Sequence, residues 1–315
     1  MKILEAQELR KYYRRRGSLL NKKYTKAVDG VSIEIEDGEI FGIVGETGSG
    51  KTTVARLIMG LVQPTSGTVK FEGQDLSSLK RKELRRIRTR IQMIFQDPYG
   101  ALDPRFKIRQ IVEEPLKLNH IEYDNEQLTR VMEAAGLKPV EDFSGKYPHQ
   151  LSGGQRQRVL IARAMVLDPR FLIADEPASM LDVSLKAGIL NHLKRINTEQ
   201  KTTMLVISHD ISLASYLSQE IAVLYSGKIV EKASKREIIN NPLHPYTKVL
   251  IDAVPELGKE IDDVAVPARG ADEYIEGQYA CSFYPRCKFA TDLCRLKEPP
   301  LKEVEKNHYV ACHLY

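Results

Sequence analysis

The chain alternates short apolar runs with amphipathic stretches. Ile40-Phe41-Gly42-Ile43-Val44, Ile91 to Phe95, Phe171-Leu172-Ile173-Ala174 and Met204-Leu205-Val206-Ile207 are continuous, β-rich and of strand length. Apolar runs of this kind fit a largely parallel sheet covered on both faces, and the helical patterns between them place the chain in the α/β class. The first run leads into a helix predicted over Thr52 to Leu61. Between about residues 105 and 164 the period becomes helical, with Ile108, Ile111 and Val112 and later Leu128, Val131, Met132 and Ala135, which predicts a helical insert. Beyond Pro255 the texture turns to Glu, Asp and Pro, and a boundary is expected near residues 255 to 260. This divides the chain into a domain over 1–255 and a tail over 256–315.

Composition narrows the class. A chain of 315 residues with 42% hydrophobic content can bury a proper core. No segment approaches the ~20 apolar residues of a membrane span. The start, Met1-Lys2-Ile3-Leu4-Glu5-Ala6, lacks the basic-then-apolar layout of a secretion signal, so a cytoplasmic chain is expected. The net charge of +5 is modest, with acids interspersed. The densest basic run, Lys80 to Arg90, carries Leu84, Ile87 and Ile91 at helical spacing and reads as the solvated face of an amphipathic helix; no nucleic-acid partner is expected.

The chemistry begins where the first strand ends. Gly45-Glu46-Thr47-Gly48-Ser49-Gly50-Lys51-Thr52, set between a strand and a helix, is a phosphate loop: its glycines let backbone N–H groups converge on phosphate oxygens, and the helix N-terminus adds its dipole. Lys51 pairs with the β- and γ-phosphates in such a loop, and Thr52 ligates Mg²⁺. Asp175 and Glu176 close the strand Phe171 to Ala174. Two acids there can be a plain solvated turn, but beside a phosphate loop the first suits Mg²⁺ and the second suits proton abstraction from water. His209 and Gln96 also stand at strand ends, where Gln96 could contact Mg²⁺ or the attacking water; each is weak alone. Farther along lies Leu151-Ser152-Gly153-Gly154-Gln155. The phosphate loop arises by chance in about one chain in a hundred of this length, the second motif in below roughly one in a thousand.

In order and spacing these motifs resemble the ATP-binding cassette (ABC) ATPases over residues 1 to about 255. Gly45 to Thr52 match Walker A, Gln96 the Q-loop, Leu151 to Gln155 the signature, and Phe171 to Asp175 Walker B with Glu176 after it. Ser179 to Asp182 match the D-loop and His209 the switch histidine. The resemblance implies a P-loop NTPase fold: a RecA-like core, an antiparallel β subdomain and a helical subdomain. It also implies a head-to-tail dimer in which ATP lies between Walker A of one cassette and the signature of the other. Glu176 would be the general base, and His209 and Gln96 would be catalytic residues that position the γ-phosphate and the water. ATP would be bound by Gly45, Glu46, Thr47, Gly48, Ser49, Gly50, Lys51, Thr52, Thr53, Asp175 and Asp182, and by Ser152, Gly153, Gly154 and Gln155 across the dimer. Mg²⁺ would be held by Thr52, Gln96 and Asp175. Tyr13 is chosen to stack on adenine, with Tyr12 and Tyr24 as rivals, because the basic insert Arg14 to Lys23 blurs the alignment. Met180 stands where a small residue is usual, which should alter dimer packing more than chemistry. Thr47 replaces a commoner serine.

A narrower likeness rests on Phe95-Gln96-Asp97-Pro98-Tyr99, on Asn241-Pro242-Leu243-His244-Pro245-Tyr246-Thr247 and on the tail. Together they resemble the ATPase subunits of oligopeptide/dipeptide-permease-type importers. This implies a peripheral protein on the cytoplasmic face of the membrane, with a second, paralogous ATPase subunit, two transmembrane permease subunits and an extracytoplasmic substrate-binding protein. A soluble ABC ATPase acting on nucleic acid or ribosomes usually carries long coiled coils or tandem cassettes, absent here; an exporter cassette is the other alternative.

All four cysteines lie in the tail: Cys281, Cys287, Cys294 and Cys312. Clustered thiols in a cytoplasmic chain suggest metal ligation. The spacing lacks the Cys-x2-Cys knuckles common at zinc sites and resembles the tails that hold an iron-sulfur cluster of the 4Fe-4S type. Zn²⁺ is the alternative, and four unligated thiols the third reading.

Overall fold

The computed structural model describes residues 1–14, 24–253 and 279–315. The expected boundary at 255 to 260 lies outside the described residues, as does nearly all of the basic insert.

The apolar runs are the centre of the main sheet. β3 (Ile40–Val44) is flanked in parallel by β8 (Thr203–Ser208) and β9 (Glu220–Tyr225), and β7 (Phe171–Asp175) and β6 (Ile91–Ile94) continue the parallel part beyond β8. Because side chains alternate along a strand, each run feeds two cores. Leu172, Ala174, Met204 and Val206 enter one, while Phe171, Ile173, Leu205 and Ile207 enter the other. That explains why these strands read as continuous rather than alternating.

On one face lie α1 (Lys51–Ile58) and an antiparallel sheet ordered β2 (Tyr24–Glu36), β1 (Lys2–Arg14), β4 (Ser66–Phe71), β5 (Gln74–Asp75). α2 (Arg81–Arg90) buries Ile87 and leaves its basic side in solvent, as expected; Ile91 does not extend that stripe but opens β6. The opposite face carries the predicted helical insert: α3 (Pro98–Ala101), α4 (Ile108–Leu118), α5 (Asn125–Ala134), α6 (Glu141–Ser144) and α7 (Gly153–Met165). Ile108, Ile111, Val112, Leu128, Met132 and Ala135 are all buried in its core. α8 (Val183–Gln200) and α9 (Ile211–Leu217) complete that layer. Among the described residues no helix is long and apolar enough to cross a membrane.

After β10 (Lys228–Ser234), α10 (Lys235–Asn240) and α11 (Pro245–Asp252) comes the cysteine-bearing tail, with α12 (Asp292–Leu296), β11 (Lys302–Glu305) and β12 (His308–Val310). Its strands are not set apart from the cassette: β12 pairs antiparallel with β10, so the main sheet runs β11-β12-β10-β9-β3-β8-β7-β6. A buried polar knot fixes the seam. The fully buried Glu231 carboxylate accepts the N–H groups of Leu243 and His244, both at 2.8 Å, and faces His308 Nε2 at 2.8 Å. Such a carboxylate is tolerated inside because its lone pairs are occupied.

Candidate active site

The phosphate loop leaves β3 in a conformation only glycine serves at two points. A Cβ on Gly45 would stand 2.2 Å from Leu224 O, and one on Gly50, at φ +108, 2.2 Å from Ala27 O. The close approach of Ala27 puts β2 beside the loop. Lys51 opens α1 and folds back, its Nζ donating to Gly45 O at 2.6 Å and Glu46 O at 2.9 Å. Burial lowers its pKa, opposed by the charges of Glu176, Asp175 and Glu46.

Asp175 and Glu176 follow at the end of β7. Burial raises the Asp175 pKa, and a hydrogen bond from Thr52 works the other way. Two buried polar atoms here lack any partner: Asp175 Oδ1 and Ser49 Oγ. Unsatisfied buried acceptors and donors are rare and costly, and a pair of them around one loop fits residues arranged for a polyphosphate and its cation. Thr52 and Asp175 therefore have the oxygen donors that Mg²⁺ prefers.

Glu176 takes φ +48, a left-handed conformation that costs a non-glycine residue of order 1–3 kcal/mol, held by its N–H on Ile207 O at 2.8 Å. Its Oε2 meets His209 Nδ1 at 2.8 Å and accepts from Gln96 Nε2 at 3.3 Å. Three residues singled out from three different strand ends thus converge on one oxygen. Sequence order alone could not show this.

The signature stands apart, at the start of α7. Ser152 is its N-cap: Ser152 Oγ accepts from Gln155 N at 3.3 Å, and the Ser152 N–H donates to Gln155 Oε1 at 3.0 Å. Ser152 is exposed, whereas a Cβ on Gly154 would press Leu185 Cδ1 at 3.1 Å. The Q-loop reaches this helix through Tyr99, whose ring lies 4.2 Å from the Arg156 guanidinium. Asp182 caps α8 by accepting from Leu185 N at 3.0 Å, and Met180 beside it is exposed.

Of the three tyrosines, Tyr12 is engaged by Asp29 at 2.5 Å, and burial with that hydrogen bond pushes its pKa up to about 12. Tyr13 and Tyr24 are exposed, and Tyr13 pairs with Thr25 on β2, two residues from the Ala27 that touches the loop.

The thiols Cys281, Cys287 and Cys312 are half-buried and Cys294 buried. Burial raises the first three, Cys281 to about 11, and the four groups are close enough to feel one another's charge. Among the described residues the only three metal-ligating groups whose atoms all lie within 4.8 Å are Glu237, Glu305 and His308, so no three of the sulfurs are that close together.

Sequence reasoning missed two residues at the loop. Arg286 forms a double ion pair with Glu46, both contacts at 2.8 Å, and the buried Tyr246 hydroxyl accepts the Glu46 N–H at 2.8 Å. Tyr246 lies in a segment already singled out by resemblance; for Arg286 the only signal was its place next to Cys287.

Comparison with known proteins agrees with this geometry. The ABC transporter family matches residues 28–179, and the family described as oligopeptide/dipeptide transporter, C-terminal region, matches residues 230–294. The second match starts in β10, upstream of the boundary expected at 255 to 260. The oligopeptide transport ATP-binding protein AppF of Bacillus subtilis (strain 168) is 41% identical over 99% of this chain and 97% of its own. The putative oligopeptide transport ATP-binding protein YkfD of the same organism is 40% identical over 99% and 95%. Among solved structures, the dimeric ATP-binding cassette MJ0796 in a post-hydrolysis state with ADP and Pi superposes with a TM-score of 0.66 at 31% identity, covering 74% of this chain and 99% of that one. CbiO1 from Clostridium perfringens, part of an ABC transporter complex, gives 0.65 at 25% identity, covering 76% and 91%.

Proposed function

The chain belongs to the ABC transporter family, in the group that carries the oligopeptide/dipeptide transporter C-terminal region, and from that premise we propose that it powers uptake of peptides or related solutes. It is an ATP-binding and ATP-hydrolysing subunit of a transporter. The finer reading gives it a paralogous second cassette, two permease subunits, an extracytoplasmic binding protein and a peripheral place on the cytoplasmic face of the membrane. Its support is the relatives' names and the tail they share.

One observation carries the chemical reading: Glu176 Oε2 collects both His209 and Gln96 one residue from Asp175, whose Oδ1 is buried and unpartnered. In this reading Lys51, Ser49 and the loop N–H groups hold the phosphates, and Thr52 and Asp175 hold Mg²⁺, with Gln96 at its edge. The metal screens phosphate charge when bound. Glu176 takes the proton of the attacking water, and His209 and Gln96 fix where its carboxylate points. Tyr13, exposed and paired with Thr25 two residues from Ala27, stacks on adenine. The N-terminus of α7, with the exposed Ser152 and with Gly153, Gly154 and Gln155, faces the nucleotide of a second cassette, and Asp182 and Met180 lie at that interface.

For the tail we assign an iron-sulfur cluster held by Cys281, Cys287, Cys294 and Cys312, with Zn²⁺ second. A mononuclear tetrahedral zinc site holds its sulfurs about 3.8 Å apart. No three of the four sulfurs lie within 4.8 Å of one another, which favours a cluster over a single zinc ion, and thiols pushed up by burial need a cation to become thiolates. Its role is to brace a short polar tail.

The transport reading is tested by reconstituting the chain with its permease partners and binding protein in vesicles. Peptide-dependent ATP hydrolysis is expected. Stimulation by RNA or ribosomes and not by peptide would overturn it.

A further inference from the structure

Glu46 is held from two sides, and both holds come from the C-terminal third of the chain. Arg286 Nη1 and Nη2 each donate to one carboxylate oxygen at 2.8 Å, while the Glu46 N–H donates to Tyr246 at 2.8 Å. Arg286 closes the short turn Tyr284–Arg286, which runs straight into Cys287. That turn is tied to the thiols: Tyr284 N–H donates to Cys281 O at 3.0 Å and Cys281 N–H to Cys294 O at 2.9 Å. The guanidinium packs over Phe283 and Tyr225, 5.7 and 5.9 Å from the ring centres. Phe283 is buried against Tyr246, with ring centres 5.5 Å apart. Tail and phosphate loop are therefore one packed unit.

The charge arithmetic gives this contact a purpose. A carboxylate on the second residue of a loop that must accept a polyphosphate repels the ligand, and its charge also acts on Lys51, whose Nζ donates to the backbone carbonyl of the same residue at 2.9 Å. The bidentate arginine offsets that charge and fixes the direction of the carboxylate.

We propose that Arg286 is a positioning residue of the phosphate loop, and that through it the state of the four thiols sets the affinity for ATP. When the thiols are ligated, the turn before Cys287 is fixed and Arg286 stays on Glu46. When the ligand is lost the turn loosens, the Glu46 charge is exposed to the nucleotide, and affinity falls. This rests on the reading that Gly45 to Thr52 bind the phosphates of ATP.

The test is ATP binding by the full chain, purified without oxygen and titrated by calorimetry with a non-hydrolysable ATP analogue. Arg286→Ala is expected to weaken binding about tenfold, the scale of a lost charged hydrogen-bond pair. Arg286→Lys should fall between. In a Glu46→Gln background the Arg286→Ala loss should shrink to within about twofold, because no charge is left to neutralise. Cys287→Ser should weaken binding in the parent chain and not in the Glu46→Gln background. An Arg286→Ala loss that is the same in both backgrounds overturns the positioning role, and unchanged affinity in Cys287→Ser overturns transmission from the thiols. Lys51→Ala separates the premise: if it abolishes binding while Arg286→Ala does nothing, the loop reading stands and this inference fails; if it binds normally, the loop reading itself fails.

Discussion

His209 Nδ1 and Glu176 Oε2 stand 2.8 Å apart, so the residue assigned as general base is occupied before any water reaches it. With Gln96 on the same oxygen, the carboxylate is oriented by groups from two other strand ends. A base held this way is preorganised in direction, and catalysis needs only its second lone pairs free.

Glu176→Gln keeps the shape and the contact to Gln96 but cannot accept a proton. Turnover should fall by at least about a hundredfold while ATP affinity stays within about twofold. Phosphate release and nucleotide titration on one preparation check this, and full turnover in the variant would refute the assignment.

Ser152→Ala should have two separable effects. Removing the N-cap of α7 costs about 1 kcal/mol of stability, read in a denaturant titration. Hydrolysis should also drop, because the signature serves the opposing nucleotide, whereas binding by the isolated chain should not change. A loss of binding in the monomer would argue against the head-to-tail arrangement.

Acid should weaken the fold through His244. The ring is buried, its Nδ1 accepts the Tyr246 N–H at 3.0 Å, and burial pushes its pKa from 6.5 down to about 4. The unfolded chain binds the proton first, so stability is full above pH ~6.5, declines as pH falls, and has lost roughly 3 kcal/mol by pH ~4. His244→Asn keeps a capping side chain and removes the titration. Denaturation midpoints across this range should fall more steeply in the parent chain; equal slopes would rule the effect out.

Purified without oxygen, the chain should carry about four iron and four sulfide with visible absorbance, and Cys294→Ser should lose them. Zinc alone would favour the second assignment. Folded protein with no metal at all would end the ligation idea.

Much of this was legible in the residues. The strands around β3 are continuous apolar runs, and a polar residue closing such a run is conspicuous, which is how Asp175, Glu176, Gln96 and His209 stood out. Spacing could say nothing about which of them meet, because the contacts span 33 to 80 residues. Among Tyr12, Tyr13 and Tyr24 the choice depended on strand register, which the Asp29 contact to Tyr12 narrows only in three dimensions. The way the tail joins the main sheet was not legible, for a physical reason. β11 and β12 have four and three residues, too short for a period to show, and Glu231 looks like any charged strand residue until His308 arrives 77 positions later. Arg286 to Glu46, 240 residues apart, is the extreme case.

The pairing of β12 with β10 has a consequence for anyone shortening this chain. A strand stripped of its neighbour presents a row of unsatisfied amide and carbonyl groups, a template for any other extended segment. Removal of the residues after Asp252 would do this to β10, while also leaving the Glu231 carboxylate buried without its imidazole. The tail thus acts as a selvedge, finishing the sheet so that it does not stick to its neighbours, and a trimmed cassette should be recovered as aggregates.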